Sequence, residues 1–153
     1  MIGPNAITDL VLETFRLNGQ LLVAGDALVS DVGLTSARWQ VLGAMALSPA
    51  PLSVAHIARN MGLTRQAVQR LANEMERGGF VRFESNPHHR RSRLVSLTAR
   101  GKTAYEAAMK RQRPWARSLA DGLTAKQIEI ATAVLRAIRS RLDVITKIGK
   151  SDA

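Results

Sequence analysis

The sequence predicts a mainly α-helical chain that carries one small β-hairpin. Three observations lead there. Two helical patterns in the middle of the chain are joined by a tight turn at Gly62. Two short alternating runs, "FVRF" and "RLVSL", follow them on either side of a polar, Pro-containing loop. Both ends of the chain carry apolar residues at three- and four-residue spacing, the period of an amphipathic helix.

At 153 residues the chain is long enough to bury a real core, and it reads as one domain over 1–153. No run approaches the 18 or so apolar residues of a membrane span. The start "MIGPNAITDLVLE" has no basic stretch and carries Asp9 and Glu13 early, so it does not read as a secretory signal; the cytoplasm is the expected compartment. With no cysteine, disulfides, Cys-based zinc sites and thiol chemistry are excluded. Charge is uneven along the chain. Residues 1–58 hold Arg16 and Arg38 against four acids, a net −2. Residues 59–102 hold ten Lys/Arg against Glu74, Glu76 and Glu84, a net +7, and residues 103–153 add ten against five, a net +5. A basic excess concentrated mid-chain is the electrostatic footprint of a polyanion partner, although a solvated basic surface has the same composition.

The elements follow in order. Residues 6–30 form a first helix on the stripe Leu10, Leu17, Leu21, Ala24 and Leu28, weakened by Gly19 and Gly25. Thr35 can cap a second helix, "SARWQVLGAMAL", whose apolar character predicts burial; "SPAP" ends it. A short third helix, "VAHIARNM", starts after Ser53 and stops at Gly62, where the turn calls for positive φ. Thr64 can cap the fourth, "RQAVQRLANEMERGG". Two helices joined by a tight Gly-containing turn are the helix-turn-helix signature.

On the fourth helix, at 100° per residue, Arg65, Gln66, Gln69, Arg70, Asn73 and Arg77 fall within an arc of about 140°. Val68, Leu71, Ala72 and Met75 fall on the other side and predict docking on a core. Arg, Gln and Asn are the side chains that form bidentate hydrogen bonds with purine edges, whereas a merely solvated face is more often rich in Glu and Lys. The hairpin comes next, with "ESNPHHRRS" as a basic tip, and Thr98 caps the following helix, "ARGKTAYEAAMKRQR", which Pro114 is expected to end or kink. A helix-turn-helix followed by a two-stranded hairpin is a winged helix, with the hairpin tip as its wing. The last helix runs from about residue 125 with Ile128, Ala131, Leu135, Ile138, Leu142 and Ile145 in register, the pattern of a helix–helix seam. Such stripes also serve intramolecular cores. Here the end helices have too little chain between them to bury both, so dimerisation through Leu10, Leu17, Leu21, Leu135, Ile138, Leu142 and Ile145 is the favoured reading.

"LTSARWQVL", "HIARNMGLTRQAVQRLANEMERGGFVRF" and "NPHHRRSRLVSLTARG" together resemble the MarR family of bacterial transcription regulators, most specifically over 34–101. That family's wing motif is Asp-Arg-Arg, a small residue, two aliphatic positions and Leu-Thr-x-x-Gly. Arg90, Arg91, Leu94, Val95, Leu97, Thr98 and Gly101 fit it, while His89 stands at the Asp position. In the family this Asp braces the second arginine, the one that enters the minor groove. The resemblance implies a winged helix-turn-helix over 34–101 flanked by dimerisation helices at 5–30 and 103–148. It also implies a homodimer on a pseudo-palindromic, double-stranded DNA operator. By that reading Arg65, Gln66, Gln69, Arg70 and Asn73 read bases, Ser53 and Thr64 contact phosphate or simply cap their helices, and Arg90 and Arg91 reach the backbone or minor groove. Recognition helices would sit roughly 34–36 Å apart.

Rival chemistries do not gather enough residues. His88 and His89 are adjacent, have arginine neighbours and lack a Cys or acid to complete a metal set. No Gly-rich phosphate loop or nucleophile elbow appears, so neither an enzyme nor a cofactor is expected. Trp39 reads as core, although the resemblance places its helix beside the family's effector pocket; Tyr105 and Trp115 are candidates for that pocket, with packing the simpler reading. Two function classes stand: a ligand-responsive DNA-binding repressor, and a winged-helix module that uses its basic face on protein or RNA without operator specificity.

Overall fold

Thr35, Ser53 and Thr64, three of the predicted caps, each accept a backbone N–H from three residues ahead: Arg38 at 3.2 Å, His56 at 3.3 Å and Ala67 at 3.1 Å. Each such cap satisfies a donor that the first helical turn leaves unpaired and contributes about 1 kcal/mol. The computed structural model describes the backbone of residues 4–151 and the side chains of 5–146. Lys147 and Ile148, the last positions of the expected dimerisation range, lie outside the described side chains. The order is α1 (Pro4–Val29), a 3-10 turn at Ser30–Val32, α2 (Ser36–Ala46), β1 (Leu52–Ser53), α3 (Val54–Met61), α4 (Arg65–Arg77), β2 (Val81–Glu84), β3 (Leu94–Leu97), α5 (Ala99–Leu119) and α6 (Ala125–Ser151). The chain divides into two compact units, 1–113 and 114–153.

In the first unit the core lies where α2, α3, α4 and the sheet meet. Leu42, Ile57, Met75, Val41, Val68, Val81 and Val95 are fully buried there, joined by Val29 from α1 and by Ala104 and Ala108 from α5. The α1–α2 corner is tied by polar bonds: Asp26 Oδ1 accepts from the Ser36 N–H at 2.6 Å, and the Ser36 hydroxyl donates to the Leu22 carbonyl at 2.7 Å. Val81 and Phe83 pair with Leu97 and Val95, so the alternating apolar positions share the core-facing side, as the period of two predicts.

One expectation needs correcting and another narrowing. The sheet has three antiparallel strands in the order β1-β3-β2 rather than two. Leu52 and Ser53 pair with Val95 and Leu94, and two residues after Pro51 are too few to show any alternation. Of the two outcomes expected at Pro114, an end or a kink, the end does not occur: α5 runs to Leu119 with Pro114 inside it, at the loss of a single N–H from the helix ladder.

The terminal helices remain uncovered within the chain. On α1, Phe15 is 70% exposed, Leu17 47% and Leu21 39%; on α6, Leu135 is 42%, Leu142 56% and Ile145 64% exposed. So many exposed large apolar residues along each single helix are unusual on a finished monomer. Among the described residues, no helix is long and apolar enough to cross a membrane.

Candidate nucleic-acid interface

The α3–α4 turn is built by backbone geometry. Gly62 adopts φ 67°, and the Leu63 N–H reaches back to the Ala58 carbonyl at 3.0 Å. That left-handed position suits glycine and sets the angle at which α4 leaves α3. Val68, Ala72 and Met75 bury one side of α4, and Leu71 packs beside them. The opposite side presents Arg65, Gln66, Gln69 and Arg70 to solvent, with Asn73 half-buried. Gln69 Nε2 donates to Asn73 Oδ1 at 2.9 Å. The pair thereby offers one amide acceptor and one amide donor side by side, the complement of an adenine edge. Glu76 also lies within this arc, about 20° from Arg65 at 100° per residue, but three turns along the helix. The acid-free surface is therefore the first two turns, where Arg65, Gln66, Gln69 and Arg70 sit.

Ser53 and Thr64 behave differently. Thr64 caps α4 and is exposed, so its remaining hydroxyl capacity faces solvent. Ser53 is buried; its hydroxyl accepts from the His56 N–H and lies 3.1 Å from His56 Nδ1. The cap and the imidazole account for that hydroxyl.

The wing tip is held by Asn86. Its Nδ2 donates to the Ser92 carbonyl at 2.8 Å, its Oδ1 accepts from the His88 N–H at 3.0 Å, and its own carbonyl accepts from the His89 N–H at 3.3 Å. The Ser92 N–H closes on the His89 carbonyl at 3.1 Å. His89 thus enters the turn through its backbone. Arg90 and Arg91 are exposed within the loop that Asn86 clamps, and among the described residues neither is ion-paired. At the wing's root Glu84 Oε1 accepts from the Ser96 hydroxyl at 2.8 Å and from Arg82 Nε at 2.9 Å. The Ser96 bond first, then Arg82, hold this carboxyl below the usual range, so it stays ionised beside the basic tip.

The model of the MarR family matches residues 32–92, the span from the end of the 3-10 turn before α2 to the wing tip. The protein Rv2011c of Mycobacterium tuberculosis, itself uncharacterised, is 35% identical over 130 residues, covering 85% of this chain and 90% of that protein. The chain belongs to the MarR family. BadR of Rhodopseudomonas palustris, a transcriptional activatory protein, is 33% identical over 99 residues, 63% of this chain and 57% of BadR. Among solved structures, a mutant Escherichia coli MarR complexed with operator DNA shares the fold at TM-score 0.76 and 21% identity, over 88% of this chain and 96% of that one. CouR of Rhodococcus jostii, bound to p-coumaroyl-CoA, does so at TM-score 0.77 and 22% identity, over 86% and 92%.

Within this MarR-family chain, Trp39 and Tyr105 are half-buried and pack against the core; the Tyr105 ring closes on Gly43, where an added Cβ would lie 3.5 Å from it. Neither lines the open groove of about 520 Å³ that Gln40, Gly43, Leu47, Leu52 and Met61 border. Trp115 is half-buried in the second unit. His88 and His89 are exposed, and among the described residues no three His, Asp or Glu side chains gather as a metal site. Asn86 was not among the residues singled out from sequence, where Asn-Pro reads only as turn chemistry. Asn86→Ala should leave the fold intact yet destabilise the wing turn by roughly 1–2 kcal/mol, since two side-chain bonds are lost. Amide exchange at His88 and Ser92 would rise against unchanged exchange in α4; equal protection in both variants would contradict the clamp.

Proposed function

We propose that the chain is a homodimeric, sequence-specific DNA-binding transcription regulator, acting as a repressor that a small-molecule effector releases. The observation that carries this reading is the exposed Arg/Gln surface on the first two turns of α4, set beside a wing tip whose Arg90 and Arg91 have no carboxylate partner among the described residues. Arg65, Gln66, Gln69, Arg70 and Asn73 enter the major groove, with the amides suited to adenine and an arginine to guanine. Thr64 at the α4 N-terminus approaches the backbone, while the buried Ser53, its hydroxyl taken up by the α3 cap and His56, serves its helix instead. Arg90 and Arg91 take the backbone or the narrow minor groove beyond. Such a role implies the cytoplasm.

The uncovered stripes support the dimer: Leu17 and Leu21 on α1, and Leu135, Leu142 and Ile145 on α6, are exposed and need a partner face, with the half-buried Leu10 and Ile138 in line with them. Two copies then address two half-sites about one helical turn apart. Repression follows from occupying a promoter. The name of the relative BadR favours a second reading, in which the same binding activates. The ligand held by CouR, a protein of the same fold, supports an effector; Trp39 and Tyr105 pack against the core and so do not supply an open pocket for it.

A substitution in the base-reading pair tests direct readout. Gln69→Ala should cost about 1–3 kcal/mol of discrimination at one base pair in each half-site and leave random-duplex binding unchanged. Selection from a randomised duplex pool reads this directly. An identical preferred sequence for both proteins would remove Gln69 from the interface.

A further inference from the structure

We propose that Arg93 is a further phosphate-binding residue, closing with Arg65 and Arg91 on one stretch of DNA backbone between α4 and the wing. The inference rests on the DNA-binding reading above. Strand parity sets the position: Val95 and Leu97 face the core, so Arg93 continues that row one step past its last apolar member. A residue there would ordinarily end the core with another apolar side chain. Arg93 instead lays its guanidinium over the Phe83 ring, 4.3 Å from the centroid, and remains exposed.

That stack borders a recess of about 360 Å³ between the two halves of the interface. Arg65, Gln66 and Gln69 line it from α4, and Arg91, Ser92 and Arg93 from the wing. No acid lines it. Among the described residues none of the three guanidinium groups forms an ion pair or a hydrogen bond. Three guanidiniums around one recess repel one another, and an anion relieves that repulsion. The Phe83 ring does for Arg93 what a carboxylate would otherwise do, fixing its plane, while its N–H donors stay available at the edge. A planar fork so presented matches the oxygens of a phosphodiester.

Geometry selects the backbone as ligand. An element in the major groove and another in the adjacent minor groove must straddle the sugar-phosphate strand that separates them. The recess lies between those two elements and faces that strand. Free phosphate has the same chemistry, and the test separates the two sources.

Binding of the full-length protein to random duplex and to a selected fragment would be titrated from about 50 to 200 mM salt. Arg93→Ala should weaken both by the same factor, roughly tenfold at the low end, and reduce the log–log salt slope by about 0.9. Arg93→Lys should restore the slope but not the full affinity, a rescue that a packing role would not produce. Phe83→Leu, which keeps the charge and removes the stack, should weaken binding with the slope retained. Inorganic phosphate at constant ionic strength should not displace the duplex; displacement dependent on Arg93 would assign the recess to the free anion and overturn the backbone contact. A wild-type chain that binds no duplex overturns the regulator reading and this one together. A wild-type chain that binds while Arg93→Ala leaves slope and affinity unchanged overturns this one alone.

Discussion

A chain carrying Gly101→Ala should lose roughly 3 kcal/mol of stability and melt about 6–12 °C lower. Gly101 lies in the first turn of α5, where a Cβ built on its backbone would stand 1.9 Å from the Phe80 carbonyl oxygen and 3.0 Å from the carbonyl carbon. Both atoms are backbone, so no rotamer change makes room. The same carbonyl accepts the Thr98 N–H at 3.2 Å, while the Thr98 hydroxyl donates to the Gly79 carbonyl at 2.6 Å and caps α5 by accepting the Gly101 N–H at 3.0 Å. Moving α5 away to fit a methyl group would stretch all three bonds and lift Ala104 and Ala108 from the core. A loss of this size is a large share of the 5–15 kcal/mol that holds a typical domain together. Thermal unfolding followed by circular dichroism checks it; an unchanged midpoint would mean that α5 does not approach this backbone. The glycine of the wing motif thus has a packing role at the junction of sheet and helix, independent of any ligand.

The pair Leu135→Asp with Leu142→Asp should yield a monomer and weaken operator binding by about 10²–10⁴-fold. Both leucines are more than two-fifths exposed on α6, one heptad apart and on one stripe with Ile128 and Ile145. A carboxylate at two equivalent seam positions one heptad apart would be buried without a partner in any helix–helix interface, which costs several kcal/mol per charge. In the lone chain the same positions face water, so the helix itself should persist. A dimer gains operator affinity because binding one half-site makes the second event intramolecular; a monomer forfeits that gain. Sedimentation and fragment binding, measured on the same sample, check both effects. Dimers surviving the double substitution would assign the α6 stripe to some other contact.

Much of this was legible in the sequence because it is local. Thr35, Ser53 and Thr64 cap their helices as their residue types predict, Gly62 takes the left-handed turn, and the β2–β3 alternation gives the observed register. What stayed hidden depends on chain segments meeting in space. β1 is two residues with no period of its own, and it exists only because β3 offers an edge. The clamp of Asn86 on Ser92 spans six residues of irregular loop. Arg93 looked like one more basic residue in a basic run until its parity and the Phe83 ring set it across from α4. The helix passes through Pro114 because a strong local breaker is still a weak vote against a whole element. His89 departs from the family's wing pattern, and the wing turn is closed without its side chain, through Asn86 and the backbone.

Operator recognition is tested most directly by titrating the full-length protein with fragments of genomic DNA against random duplex at physiological salt. A preferred fragment bound at least about a thousandfold more tightly than random sequence, with protection over two half-sites a helical turn apart, is the expected result. Equal affinity for every fragment would contradict sequence-specific regulation and leave a basic winged helix that serves another partner.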